Sequence, residues 1–356
     1  MQNPETGKAF RIHNRDIGLA HPPFIIAEMS GNHNQSLERA LALVDAAAAA
    51  GAHALKIQTF TPDSMTLNLE RDEFVISNPK SLWKGRSFYS VYAEAQTPME
   101  WHKPIFERGR AHGMIVFSTP FDAAAVDFLE TLDSPCYKIA SFELVDLPLI
   151  RKVASTGKPL IMSTGMATAA EIDEAVTAAR GAGAKHLVLL KCTSTYPAMP
   201  ENSHLRTIPE LRRVYGCEAG LSDHTLGIGA AVASVALGAT VIEKHFTLNR
   251  SDGGVDSAFS LEPAELKALV DETARAHMAL GEVRFGPTPD EARAVLSRRS
   301  LYICADLKEG DVLTPENLRS IRPGHGLPPK HYDSLLGKRV SRAVRLGTPM
   351  SWDLVG

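Results

Sequence analysis

Residues 218–248 read EAGLSDHTLGIGAAVASVALGATVIEKHFTL. Two short apolar runs, EAGLSDHT and TVIEKHFT, flank GIGAAVASVALG, which has helical spacing, so the stretch is one βαβ unit. Each run begins as a buried strand should and then ends in ionisable residues: Asp223 and His224 in one, Glu243, Lys244 and His245 in the other. Desolvating such groups is unfavourable unless they meet partners or a ligand, so both strand ends call for compensation.

The same unit recurs outward along the chain. Earlier runs are PFIIAEMS, ALKIQTF, MIVFSTP, CYKIAS, PLIMSTG and HLVLLKCT, and most consecutive pairs enclose a helical segment such as LERALALVDAAAAAG or AAEIDEAVTAARGAG. Eight βα units in succession predict an α/β fold of the (β/α)8 TIM-barrel type, and the absence of G-x-G-x-x-G after the first strand weighs against a dinucleotide fold. The alanine-rich stretch after SLERALALVD keeps helical register and reads as a tight packing face, not as a linker. Between the second and third strands, residues 61–98 form an aromatic insertion longer than a barrel loop needs, of the kind that shapes a substrate mouth. The pattern fails again where Gly and Pro punctuate the chain. We therefore expect a barrel over 1–282, a linker over 283–297 and a small C-terminal domain over 298–356.

The 356 residues carry a formal net charge of -3, which offers no basic field for nucleic acid or an anionic membrane surface. Any anionic ligand must be bound locally. Four scattered cysteines without a C-x-x-C pair suit reduced thiols. The first residues, MQNPETGKAFRIHNRDIG, lack the order of a signal peptide, and no apolar run is long enough to span a bilayer. A soluble, cytoplasmic protein is the expectation.

In a barrel of this kind chemistry gathers at the C-terminal strand ends. Alternation puts Ser222 with His224 and Glu243 with His245 on single faces, and neighbouring strands bring both imidazoles within reach of one divalent cation. Glu243 can then orient His245 from behind. Two protein ligands suit a catalytic Mn2+ or Mg2+ with open positions, whereas the plain alternative is two histidines that cap core strands. Lys56 and Lys138 sit inside apolar runs and suggest a phosphate or carboxylate ligand, or a Schiff base, with pairing to barrel carboxylates as the alternative. The hydroxyls Thr119, Ser141, Ser163 and Ser222 fall at the same rim. Glu28, Glu143 and Asp256 follow strands and are either acid–base groups or solvated rim residues; Tyr196 is either a ligand contact or packing, and Asp223 is structural. These residues alone imply a metal-assisted barrel enzyme for an anionic, phosphorylated substrate. A pyruvate aldolase and a non-catalytic sugar-binding scaffold are its rivals.

The segments IAEMSGNHNQ, FSTPFD, YKIASFE, STGMAT, CTSTYP, GLSDHTLG, EKHFTL, SLEP and IRPGHG cover nearly the whole chain, and with them it resembles the sialic acid synthase family. Those enzymes condense phosphoenolpyruvate with an N-acetylated amino sugar. The resemblance implies metal ligation by His224 and His245 and phosphoenolpyruvate binding by Lys56, Thr119, Lys138, Ser141, Ser163, Ser194 and Ser222. It further implies sugar contacts from Glu28, Tyr196 and Asp256, and acid–base work by Glu143. Ser194 stands where family members often carry Asn. The tail resembles the family's antifreeze-like (SAF, β-clip) domain, which implies a domain-swapped homodimer with Arg322 closing the partner's site. Phe142, Lys191 and DGGVDSAFSLEP look more like the pseudaminic branch, with 2,4-diacetamido-2,4,6-trideoxy-L-altrose as acceptor, than the neuraminate or legionaminate branches.

Overall fold

The computed structural model describes residues 9–79 and 81–356, so residues 1–8, read above as part of a non-signal N-terminus, and Lys80 of the insertion lie outside it. The chain divides into two compact units, Met1–Gly281 and Glu282–Gly356.

A hairpin of β1 (Phe10–Ile12) and β2 (Arg15–Ile17) precedes eight parallel strands. These are β3 (Phe24–Glu28), β4 (Ala54–Thr59), β5 (Ile115–Pro120), β6 (Tyr137–Ile139), β7 (Leu160–Ser163), β8 (Leu187–Cys192), β9 (Glu218–Asp223) and β10 (Val241–His245). They close into one barrel in sequence order, with β10 pairing β3. All eight expected strands are present, and the expected TIM barrel is the observed architecture.

Period-two alternation explains both faces of each strand. Ile25, Ala27, Leu55, Ile57, Leu160, Met162, Leu187 and Leu189 point outward into the layer shared with the helices. The alanine-rich stretch supplies one of these, Leu37–Ala49, capped by Ser36 accepting from Arg39 N and buried at Ala40, Leu43, Val44 and Ala47. The opposite set, Phe24, Ile26, Ala54, Ile115, Phe117, Ile161, Val188, Leu190 and Val241, fills the barrel interior. Gly220 sits in this interior, where a Cβ would come 2.0 Å from the Val241 carbonyl oxygen and 2.9 Å from Leu190 Cδ2. No larger residue fits there without displacing the neighbouring strand.

Phe10, Ile12 and Ile17 join the same interior cluster, so the hairpin stops the N-terminal end of the barrel. The sequence shows little of this, because strands of three residues are too short to display alternation and Arg11 and Asp16 pair on the exposed side. The insertion folds into helix Phe88–Ala95 and shorter turns Pro62–Met65 and Asp72–Phe74. It is fastened to the barrel's open end: Gln35 Nε2 donates to the Glu94 and Gln96 carbonyls at 2.8 and 2.9 Å, and Trp83 Nε1 donates to the Val255 carbonyl at 3.2 Å.

The second unit has a core of its own, including Leu301, Ile303, Leu313, Leu318, Leu335, Val340 and Met350. It is built around antiparallel β11 (Ser300–Ile303) and β12 (Leu318–Ile321). Among the described residues no helix is long and apolar enough to cross a membrane.

Because Ile12 is fully buried in the floor of the barrel, Ile12→Ala should destabilise the protein by about 2–5 kcal/mol in denaturant unfolding. A change below about 0.5 kcal/mol, the level of a surface substitution, would mean that the hairpin is no plug.

Candidate active site

Towards their C-terminal ends the inner-facing rows change from apolar to ionisable. Glu28 follows Phe24 and Ile26, Lys56 follows Ala54, Thr119 follows Ile115 and Phe117, Lys138 follows Cys136, and Glu243 follows Val241. Lys56 is the hub. Its Nζ lies 2.7 Å from Glu28 Oε2, 3.5 Å from Glu243 Oε1 and 3.1 Å from Thr119 Oγ1. Burial depresses its pKa, but Glu243 and Glu28 outweigh burial and raise it above the ordinary lysine value. Glu28 is pushed up to about 7 by burial, against the pull of Lys56. Burial also acts upward on Glu243, yet Lys138 and Lys56 hold it below the usual carboxylate range.

Lys138 is 2% exposed. Its Nζ donates to the Ile139 carbonyl at 3.1 Å, and among the described residues it forms no ion pair. Burial lowers its pKa accordingly. Nearby on the inner rows, Ser163 Oγ is buried without a hydrogen-bond partner, and so is Glu143 Oε2 just past β6. Burial raises Glu143 to about 7. Ser141 and Ser194 meet Oγ to Oγ at 2.7 Å. A buried ammonium outside any direct ion pair, an unpartnered hydroxyl and a carboxyl raised by burial thus border this part of the interior, groups that an anionic ligand would engage.

The two imidazoles stand beside this cradle, with ring centroids 5.3 Å apart. His224 Nδ1 lies 2.9 Å from the Thr193 carbonyl, which can only accept, so this nitrogen carries a proton; burial acts downward on the ring, but Cys192 and the Thr193 carbonyl outweigh it and raise its pKa. His245 is held well below its ordinary pKa by burial first and by His224 next, and its buried Nδ1 lacks a hydrogen-bond partner. Two imidazoles facing each other, with the buried Nδ1 of His245 unpartnered, fit a divalent cation that would displace any proton on His224 and leave positions for ligand oxygens. Among the described residues no group of three or more His, Cys, Asp and Glu side chains is arranged to hold a metal. The Tyr196 ring lies 4.5 Å from that of His224 at a tilt of 49°, and Phe259 lies 4.9 Å from His245, so aromatic rings wall this side.

Asp256 is buried rather than solvated, and Ser30 Oγ donates to its Oδ2, which also lies 3.7 Å from His245 Nδ1. Gln58 Nε2 links Ser30 Oγ at 3.2 Å to Glu28 Oε1 at 3.0 Å. Glu243 does not take the expected place behind His245, because its carboxylate is turned to Lys56. Asp223 pairs instead with Lys244 on the outer side of the strands. Ser222 is buried on the register row of Cys192 and Glu243. Arg322 follows β12 as an exposed residue of the second unit.

Sequence reading missed Ser30, Gln58 and Cys192. Burial acts upward on Cys192, but His224 and Lys138 outweigh it and bring the thiol down to about 7. Each of the three lies two residues beyond an inner-facing residue already in hand, namely Glu28, Lys56 and Leu190, so the same alternation was the available signal.

Comparison with known proteins gives the lineage. Residues 43–285 match the NeuB family and residues 298–356 match the SAF domain. Pseudaminic acid synthase of Campylobacter jejuni is 45% identical over 324 residues, covering 91% of this chain and 94% of that protein. The Helicobacter pylori pseudaminic acid synthase is 42% identical over 94% of this chain and 98% of its own length. N,N'-diacetyllegionaminic acid synthases are more distant, at 34% and 36% identity. The crystal structure of N-acetylneuraminic acid (sialic acid) synthetase from Leptospira borgpetersenii superposes with a TM-score of 0.72 at 31% identity, covering 82% of this chain and 96% of that one. A barrel with this charged mouth, followed by a SAF domain, thus has its counterparts among sugar-acid synthases, and the chain belongs to the NeuB family.

Proposed function

We propose that the protein is a pseudaminic acid synthase, a transferase that condenses phosphoenolpyruvate with 2,4-diacetamido-2,4,6-trideoxy-L-altrose to give pseudaminic acid and phosphate. The observation that carries the reading is Lys138, a buried ammonium that makes no direct ion pair among the described residues, with the unpartnered Ser163 hydroxyl on the neighbouring strand. Identity of 42–45% to pseudaminic acid synthases, against 34–36% to the legionaminic enzymes, selects the acceptor.

In this reading Lys56, Thr119, Lys138, Ser141, Ser163, Ser194 and Ser222 hold the phosphate and carboxylate of phosphoenolpyruvate by charge-assisted hydrogen bonds. Glu28, Tyr196 and Asp256 contact the open-chain sugar, whose aldehyde carbon is held against the enol carbon. His224 and His245 would hold a divalent Mn2+ or Mg2+, which when bound supplies Lewis-acid polarisation of the aldehyde oxygen. After the carbon–carbon bond forms, Glu143 takes a proton from the water that adds at C2. The resulting tetrahedral carbon then expels inorganic phosphate by C–O cleavage.

The same reading makes the enzyme a homodimer, with Arg322 reaching the mouth of the partner's barrel. Phe142, Val145, Met166, Met199 and Leu226, on the loops after β6 to β9, are all exposed, which supports a covered rim. All four cysteines are unpaired, in keeping with a soluble cytoplasmic enzyme.

Chelator-stripped protein supplied with Mn2+ or Mg2+ and phosphoenolpyruvate should release phosphate with the diacetamido altrose and not with N-acetylmannosamine. Release only with N-acetylmannosamine would overturn the acceptor, and no release with either would overturn the reaction. A base is active when deprotonated, so a Glu143 carboxyl held at about 7 gives kcat an acid limb that rises through pH 7. Glu143→Gln should lower kcat by about 10²-fold or more and remove that limb. An unchanged rate and limb would transfer the role to another group, Glu28 first.

A further inference from the structure

We propose that the buried Asp223–Lys244 ion pair is a positioning device that fixes His224 against His245, so that the two imidazoles are preset for a divalent cation. The inference rests on the reading of these histidines as metal ligands.

Asp223 and Lys244 occupy opposing register positions of β9 and β10, and each immediately precedes one of the histidines. By alternation they point to the opposite face of the sheet from Ser222 and Glu243, away from the charged interior. Their side chains are 2% and 0% exposed. Lys244 Nζ lies 2.8 Å from Asp223 Oδ2 and donates to the Thr225 carbonyl at 2.7 Å. Asp223 Oδ1 in turn accepts from Thr225 N at 2.9 Å. Three bonds thus grip the residues on both sides of His224 and end on the neighbour of His245.

Other bonds complete the frame. His224 O accepts from Ala198 N at 3.0 Å, and His245 O accepts from Leu261 N at 2.8 Å, so the backbone of each ligand candidate is held on a second side. Buried ion pairs seldom add net stability over a well-packed apolar pair of similar volume. Direction and register are what this pair supplies: the turn after Asp223 sets the exit of β9, and the ammonium ties that exit to β10. An apolar pair would fill the space equally well but leave the Thr225 carbonyl without this donor and the relative placement of the rings less determined.

The test is calorimetric titration of Mn2+ into full-length, chelator-stripped wild type and Asp223→Asn/Lys244→Met. The double variant removes both charges and keeps an acceptor for Thr225 N. Mn2+ affinity should fall about 10-fold or more, the range seen when groups that orient metal ligands are lost. The apo melting temperature should stay within a few degrees, and phosphoenolpyruvate affinity without metal, for which every proposed contact except Ser222 lies outside β9 and β10, within about twofold; both are comparisons that a purely structural role would not separate from metal binding. Unchanged Mn2+ affinity overturns the inference, and so does a parallel fall in both affinities. If the double variant fails to fold, Asp223→Asn/Lys244→Gln, which also removes both charges, is read by the same criteria. Absence of Mn2+ binding by the wild type would instead overturn the reading of His224 and His245 as ligands, and with it this inference.

Discussion

A buried ammonium group that makes no direct ion pair among the described residues is the constraint on which the rest of this structure depends. Lys138 sits on the same inward row as Cys136, two residues beyond it, so the strand cannot turn it to solvent. Lys56 meets this demand by direct contact with Glu28 and Glu243, whereas Lys138 feels Glu243 only at longer range and burial still lowers its pKa, which leaves its ammonium open to a ligand. Glu28 and Glu143 both stand near neutrality because burial, not a neighbouring charge, dominates their environment. A closed barrel tolerates such strain because its interior below this layer is packed from Phe24 to Val241 and stopped by the hairpin.

Much of this was legible in the sequence because both the fold and the site follow one rule. Period-two alternation that places Ile26, Phe117 and Val241 inside also places Glu28, Thr119 and Glu243 inside, two residues further on. The rule assigns a face but no partner. Glu243 shares its face with both His245 and Lys56, and the choice of Lys56 depends on how β10, β3 and β4 are staggered around the barrel. Asp256 was ambiguous for a related reason: its burial comes from Ser30, on a loop more than two hundred residues away in the chain. Gln58 and Cys192 are ordinary residues until their neighbours are known. Arg322 belongs to a separate unit, and no periodicity in the barrel bears on it.

The rival readings fare differently against this geometry. A pyruvate aldolase would use the same imidazoles and carboxylates and could set Lys138 against the pyruvate carboxylate, so phosphate release is what tells it apart. A sugar-binding scaffold can use the aromatic wall of Tyr196 and Phe259 yet leaves the whole charged layer without a purpose. The insertion, anchored through Gln35 and Trp83 next to Ser30 and Asp256, brings its own aromatic residues to the acceptor side, since the Trp83 and Tyr196 ring centroids are 6.3 Å apart. On the proposed reading, phosphate chemistry and sugar choice would thus reside on different parts of the mouth.

The most direct measurement is a paired one on Lys138→Met: apo unfolding stability and calorimetric affinity for phosphoenolpyruvate. Removing a buried cation that makes no direct ion pair should leave the empty protein about as stable as the wild type. Losing a charged hydrogen-bond donor should weaken phosphoenolpyruvate binding by about 10- to 100-fold. A variant that unfolds, or that binds phosphoenolpyruvate as tightly as the wild type, would contradict the account, because Lys138 would then be part of the scaffold and the anion would lie elsewhere.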